Sequence, residues 1–453
     1  MYRFALDYLK EWKNKKTRKP LVIRGARQVG KSFLVEMFSK EAFENFVKID
    51  FEKMRDIAPL FESKSPKTII PLLEVKFNTS ILPGKTLLFL DEIQAAPDVF
   101  ATIRYFYEDM PALHVIAAGS LLEFILAEHE FSMPVGRIEY LHLGPMQFEE
   151  FLMAVQREKL RESLCRYKIG EIIHSSIHGD LLRLLKQYLV IGGMPEVVSV
   201  FSKTNSFREC EAVQQSIIST YRDDFNKYSK RANPRRLEKI FSKVPQMVGN
   251  KFKYSRVDHE EKSRDLRASL QMLSMARVAI PVYHSSANGV PLRAEMDESK
   301  FKVLFLDVGL LCRSCGLSIS EFERTPDVMM INAGAVCEQF IGQHLLYSRQ
   351  FYDESEIFYW IREKKTSNAE VDYLISIGPN IIPVEVKSGK SGTLKSLQVF
   401  LCEKKRDFGL RFSSNLPSLV STVTSLPDGN NRPFKLLSLP LYMVGQTKRL
   451  CSQ

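Results

Sequence analysis

The octapeptide Gly25-Ala26-Arg27-Gln28-Val29-Gly30-Lys31-Ser32 constrains this chain more than any other stretch. It fits the pattern G-x-x-x-x-G-K-[ST], a glycine-rich loop that wraps a run of phosphates. Leu21-Val22-Ile23 before it reads as a strand, and Phe33-Leu34 with Met37-Phe38 after it recur at helical spacing. Strand, loop and helix in that order aim backbone N–H groups at an anion on the helix N-terminus. Gly25 and Gly30 supply the backbone freedom for the curl. Lys31 is placed to reach the β- and γ-phosphates, and the Ser32 hydroxyl to ligate Mg²⁺. Residues 25–32 are therefore the expected nucleotide-binding set, with ATP as ligand and Mg²⁺ as cofactor.

A partner motif follows. Thr86-Leu87-Leu88-Phe89-Leu90 is a continuous apolar run of strand length, and Asp91-Glu92 comes directly after it. Such runs suit strands covered on both faces of a parallel sheet, and their C-terminal ends form the ligand edge. Asp91 is the expected second metal residue beside Ser32, holding Mg²⁺ through water. Glu92 is the expected general base. The alternative role for the pair is to cap the helix that follows. Val47-Lys48-Ile49-Asp50 and His114-Val115-Ile116-Ala117-Ala118 read as further strands. Ser120 then either senses the γ-phosphate or caps a helix starting at Leu121. Arg137 is either an arginine finger, acting in cis or across a subunit contact, or half of a surface salt bridge. The expected catalytic set is Lys31, Glu92 and Arg137.

These residues carry a resemblance. Gly25 to Ser32, Leu90-Asp91-Glu92-Ile93-Gln94, Ala118-Gly119-Ser120-Leu121-Leu122, Gly136-Arg137 and Pro145-Met146-Gln147-Phe148-Glu149-Glu150-Phe151-Leu152 resemble the bacterial and archaeal AAA-type ATPases with a DUF4143 C-terminal region. Gly192-Gly193-Met194-Pro195-Glu196, Leu306-Asp307-Val308-Gly309-Leu310 and a late Glu-x-Lys continue it over nearly the whole chain. The resemblance implies a P-loop ATPase core with an additional strand, in which Lys31, Ser32, Asp91 and Glu92 match the nucleotide residues.

At 453 residues the chain exceeds one ordinary core, so two or three domains are expected. A net charge of +11 tilts it toward a polyanionic partner. Lys227, Lys230, Arg231, Arg235, Arg236, Lys239 and Lys243, then Lys251, Lys253 and Arg256, concentrate that charge in a 227–256 stretch. Such a stripe suits DNA backbone contact, or simply a solvated face. Helices followed by paired strands near Val278–Tyr283 and Lys302–Leu306 have the order of a winged helix. His174 and His178 lie one helical turn apart, and Cys312 and Cys315 form one C-x-x-C, but neither pair has the further ligands a zinc site needs. Seven irregularly spaced cysteines suit free thiols in a reducing compartment. Residues 1–19 hold no apolar run of signal-peptide length, and no window approaches about 20 apolar residues. A cytoplasmic protein without membrane contact is expected.

Near the end, Ala369 to Ile375 and Ile382 to Lys387 read as strands joined across Gly378-Pro379. A symmetric hairpin sets Asp372 across from Glu385, roughly 5 Å away on one face that Lys387 shares. Two close carboxylates repel unless a cation lies between them. A second divalent metal answers this, in the manner of the PD-(D/E)xK nuclease core, with Glu338, Asp372, Glu385 and Lys387 as its set and Gln398 assisting. In the alternative, Glu370 falls opposite Lys387 and pairs with it.

The expected fold is α/β: a P-loop parallel sheet with helices on both faces over 1–155, a helical and winged-helix-like region over 156–325, and a small α+β restriction-endonuclease-like domain over 326–453. The expected protein is an ATP-hydrolysing AAA-type ATPase, able to form a homo-oligomer, that couples nucleotide state to a nuclease-like, DNA-binding end. The alternative is a nucleotide-switched binding or assembly protein whose nuclease-like domain is inert.

Overall fold

The computed structural model describes residues 1–120, 136–225, 233–317, 333–348, 350–354, 356–364, 367–389, 393–425 and 431–453. The chain divides into two compact units. The first comprises residues 1–144 with the short segments 275–277 and 349–354, and the second the remainder. No helix among the described residues is long and apolar enough to cross a membrane.

The first unit is built on five parallel strands: β1 (Leu21–Arg24), β2 (Asn45–Asp50), β3 (Thr86–Asp91), β4 (His114–Ala118) and β5 (Glu139–His142). Their order across the sheet is β2-β3-β4-β1-β5. β4 thus stands between the P-loop strand and the strand that ends in Asp91, pairing Ile116 with Leu21 on one side and with Phe89 on the other. Every residue of β3 and β4 is buried, which is why their apolar runs show no alternation. Helices α1 (Ala5–Asn14), α2 (Lys31–Ala42), α3 (Pro66–Phe77) and α4 (Pro97–Asp109) accompany the sheet. α1 buries Ala5, Leu6, Leu9 and Trp12, an apolar stripe at helical spacing. The segment 349–354 adds a hydrogen bond from His142 N–H to the Phe351 carbonyl (2.8 Å), and Arg277 pairs with Glu354 (2.6 Å).

The second unit begins with helices α5 (Phe148–Ala154), α6 (Glu158–Arg166), α7 (Ser175–Ile191), α8 (Pro195–Thr204) and α9 (Phe207–Asp224). α10 (Pro234–Met247), α11 (Tyr254–Val257) and α12 (Ser263–Met275) lead to β6 (Ala279–Ser285) and β7 (Met296–Phe305). α13 (Val308–Ser314) and α14 (Ala333–Tyr347) follow, then β8 (Phe358–Lys364), β9 (Ser367–Ile377), β10 (Asn380–Val386), α15 (Lys395–Glu403), β11 (Phe408–Ser413), β12 (Ser418–Val423) and β13 (Pro433–Pro440). One mixed sheet takes up all eight of these strands among the described residues, in the order β12-β13-β11-β10-β9-β8-β6-β7. Three helices and two strands do follow one another as a winged helix would have them. However, β6 and β7 extend the C-terminal sheet, β6 pairing in parallel with β8 (Tyr283 with Phe358), so the sheet runs across the boundary expected at 325.

Two of the motifs that carry the family resemblance form one joint. Asp307 is fully buried and accepts hydrogen bonds from Gly193 N–H (2.7 Å), Gly309 N–H (2.9 Å) and Leu310 N–H (3.1 Å). A Cβ on Gly192, whose φ is +78°, would lie 2.0 Å from Asp307 Oδ1, so the loop at 192–193 closes on the carboxylate only without a side chain there.

Candidate functional site

The P-loop is held from several sides. Gly25 has φ +149°, and a Cβ on it would lie 2.2 Å from the Leu143 carbonyl oxygen. Gly30, left-handed at φ +89°, is the residue before α2, so the loop turns straight into a helix N-terminus. Gln28 is left-handed as well, and its buried Oε1 has no hydrogen-bond partner. Arg3, a buried side chain that the sequence did not single out, donates to the carbonyls of Val29 (2.9 Å) and Gly144 (2.7 Å). It fixes the loop from behind.

Lys31 lies back along the loop, its Nζ donating to the carbonyls of Gly25 (3.0 Å) and Ala26 (2.9 Å). The Ser32 hydroxyl donates to Asp91 Oδ1 at 3.0 Å, so the last loop residue and the acid ending β3 meet. Asp91 Oδ2 is 3.1 Å from Lys48 Nζ, which also reaches Glu36 (2.8 Å). Burial pulls the Lys48 ammonium down, but the hydrogen bonds and charges of Glu36 and Asp91 outweigh it and leave its pKa raised. Lys48 was read only as part of a strand. A cation at the C-terminal half of β2 beside the acid of β3 follows from the β2–β3 pairing, in which Asp50 faces Asp91.

Glu92 is left-handed (φ +49°) and half-buried, and it accepts a hydrogen bond from the Gln94 amide. Burial raises its pKa, and the Asp91 charge adds to the rise. Ser120 is buried, and the helix expected after it lies outside the described residues. Arg137 is half-exposed and pairs with Glu108 at 2.8 Å. The Ser32 hydroxyl, the Asp91 carboxylate and a loop that tolerates no Cβ at Gly25 suit Mg²⁺ with a phosphate chain.

The C-terminal hairpin has the symmetric register, Asn380 pairing with Ile377 and Val384 with Tyr373. Val386 N–H donates to Asp372 Oδ2 (2.7 Å), and Lys387 Nζ is 2.5 Å from Glu385 Oε1. Glu385 is buried, its Oε2 has no hydrogen-bond partner, and burial followed by the Asp372 charge pushes its pKa up to about 7. Glu338, on α14, belongs to the same cluster, its pKa raised to about 8 chiefly by burial.

The cation among these acids is one that the sequence reading missed. Lys302 of β7 is almost wholly buried, with Nζ 3.4 Å from Glu338 Oε2, in an ion pair with Glu370, and 3.9 Å from Asp372 Oδ1. Glu370 therefore pairs with Lys302, not with Lys387. Gln398 is engaged elsewhere, accepting from Ser425 N–H (3.1 Å). Among the described residues no group of three or more His, Cys, Asp and Glu side chains is arranged to hold a metal. The expected second divalent metal does not fit this donor set, because ammonium groups already engage its acids, Lys302 at Glu338 and Asp372 and Lys387 at Glu385.

Other sequence candidates resolve more simply. Lys227, Lys230 and Arg231 lie outside the described residues. Arg236 pairs with Glu261 and Asp265, Lys239 with Asp258 and Glu261, and Lys251 with Glu363, while Arg235, Lys243, Lys253 and Arg256 are exposed. His174 bonds Ser176, whereas His178 bonds Tyr442 and Ser414. Cys312 and Cys315 are free thiols, each raised by burial.

Three stretches of the chain match known family models. Residues 17–152 match the model of an AAA domain, residues 182–321 a domain of unknown function, DUF8612, and residues 333–425 another, DUF4143. No curated protein matches the chain. Among solved structures it is similar to the Walker-type ATPase PABY2304 of Pyrococcus abyssi, at 16% identity over 69% of this chain and 95% of that one, with a TM-score of 0.45. It is also similar to the ORC2 protein of Aeropyrum pernix (12% identity, 71% and 94% covered, TM-score 0.32). A third is the RuvB Holliday junction branch migration motor of Thermotoga maritima (15% identity, 61% and 86% covered, TM-score 0.29). The chain thus carries an AAA-type P-loop ATPase domain followed, toward its C-terminus, by a DUF4143 domain.

Proposed function

We propose that this chain binds and hydrolyses ATP at residues 25–32 and uses the nucleotide state to set the state of a C-terminal, nuclease-like domain that binds without cutting. The observation that carries the first half is the meeting of Ser32 Oγ and Asp91 Oδ1 at 3.0 Å, beside a loop whose amides open at a helix N-terminus. Lys31 exchanges its two loop carbonyls for the β- and γ-phosphates. Ser32 and Asp91 would hold Mg²⁺, which when bound would neutralise charge on the phosphate oxygens. Glu92, basic enough through burial, takes the proton of the attacking water. Arg137 serves as the arginine finger of a neighbouring copy only by leaving Glu108.

DNA is the proposed partner of the exposed cations Arg235, Lys243, Lys253 and Arg256. DNA affinity that falls steeply with salt, and falls again in the fourfold alanine variant, supports that contact; salt-independent affinity contradicts it.

The test of the enzyme is phosphate release with Mg²⁺. Lys31→Ala is expected to abolish it, and Glu92→Gln to lower it by about 10²–10⁴ while ATP still binds. Plasmid incubated with the protein and Mg²⁺ or Mn²⁺, with and without ATP, is expected to show no new ends. Nicks that vanish in Glu385→Ala would overturn the non-cutting half.

A further inference from the structure

We infer that the Lys302 ammonium is the resident cation of the C-terminal carboxylate cluster, tethered among acids with which a nuclease of this architecture would hold a divalent ion. The inference rests on reading that domain as non-cutting and supplies its cause.

Lys302 stands opposite Val282 in the β6–β7 ladder, in a run that continues Val303-Leu304-Phe305. Its side chain is only 3% exposed. A lone ammonium in such a place costs several kcal/mol unless carboxylates surround it. Glu338 comes from α14 and Glu370 and Asp372 from β9, so two separate elements converge on one atom. The ring of Tyr359 adds its face, with the centroid 5.5 Å from Nζ. Tyr373 ties α14 to β9 by donating from its hydroxyl to the Glu338 carbonyl (2.8 Å). Glu338, Glu370 and Asp372 are thereby held around Lys302.

The ammonium and a divalent ion differ in what they can do. Both offset the repulsion among close carboxylates. Only the metal lowers the pKa of a bound water enough to make hydroxide near neutral pH. An ammonium on a covalent tether also cannot leave, so a divalent ion must compete with a group already at contact distance. Glu385 and Lys387 pair with each other on the neighbouring strand and retain the look of a nuclease face. The cluster is then a structural core for the eight-stranded sheet and needs no metal to form.

The test is Mn²⁺ binding and thermal unfolding of the full chain without nucleotide, on a Lys31→Ala background that weakens the P-loop site. The chain carrying native Lys302 is expected to unfold at the same temperature in EDTA and in millimolar Mn²⁺, with no bound Mn²⁺ that depends on Asp372. Lys302→Met is expected to unfold at lower temperature in EDTA and to gain an Mn²⁺-dependent rise that Asp372→Asn removes. If Lys302→Met folds only with Mn²⁺, the result counts the same way, and Lys302→Arg should stay insensitive to metal. Mn²⁺ binding with native Lys302 that Asp372→Asn abolishes would overturn the inference, even if DNA stays intact. So would a Lys302→Met chain as stable in EDTA as its parent.

Discussion

Arg3 donates to the Val29 carbonyl inside the P-loop and to Gly144 behind it, so its guanidinium fixes a backbone that must otherwise choose among many conformations. Removing it leaves two carbonyls short of a charged donor, a loss of about 1.5–3 kcal/mol for each such bond. Arg3→Met is expected to weaken ATP affinity by roughly tenfold or more, corresponding to about 1.4 kcal/mol or more, while leaving the rate at saturation nearly unchanged. Titration with a fluorescent ATP analogue, alongside steady-state kinetics, checks the split. A second residue links the stability of the second unit to pH. His344 Nε2 accepts from Phe148 N–H (2.8 Å) and Nδ1–H donates to the Phe340 carbonyl (2.8 Å), so the neutral ring is the one that fits. Burial holds its pKa down at about 4, against 6.5 for a free imidazole. A depressed histidine contributes stability that is complete above pH 6.5 and is lost as pH falls through 6.5 toward 4. The loss amounts to about 3 kcal/mol. Because the raised carboxyls of Glu338 and Glu385 act with the opposite sign over the same range, the His344 contribution is read as a difference: the stability gap between the native chain and His344→Gln, from denaturant unfolding, is expected to shrink as pH falls from 7.5 to 4.

At the scale of elements, the P-loop was legible because everything it needs is contiguous: a strand, eight residues and a helix. Its strictness is local too. Gly25→Ala forces a Cβ toward the Leu143 oxygen at 2.2 Å, and that neighbour is backbone. The variant is expected to fold its C-terminal sheet normally yet lose ATP binding, which the same fluorescent titration reads beside far-UV circular dichroism. The place of Asp91 and Glu92 at the end of a strand was legible for a related reason, since an unbroken apolar run is buried on both faces and stops at its first carboxylates. The hairpin register between β9 and β10 followed from its turn. Lys302 was hidden because its meaning is non-local. β6 and β7 join a sheet whose next strand lies some seventy residues on, and no local pattern announces that pairing. One signal was present all the same: a lysine beside Val303-Leu304-Phe305 is a charge in a buried strand, and such a charge needs an acid partner from elsewhere. Arg3 gave no comparable sign, since a lone arginine before an amphipathic helix is ordinary.

For the whole molecule, the proposed coupling makes a thermodynamic demand. Calorimetric unfolding of the two units should give transitions assignable through Lys31→Ala and His344→Gln. With Mg²⁺ and ATP at about a hundred times Kd, the unit holding the P-loop gains about 2.7 kcal/mol. If nucleotide state sets the state of the DUF4143-containing unit, that unit's transition moves as well, and neither moves in Lys31→Ala. A shift confined to the first unit would leave an ATPase without the coupling. Beneath all of this lies the nucleotide itself. Equilibrium binding of ATP to the purified chain, with Mg²⁺ and again with EDTA, should show one site per chain that needs the metal for full affinity and disappears in Lys31→Ala. Absence of saturable binding in the native chain, or binding that Lys31→Ala leaves intact, would contradict the assignment of residues 25–32.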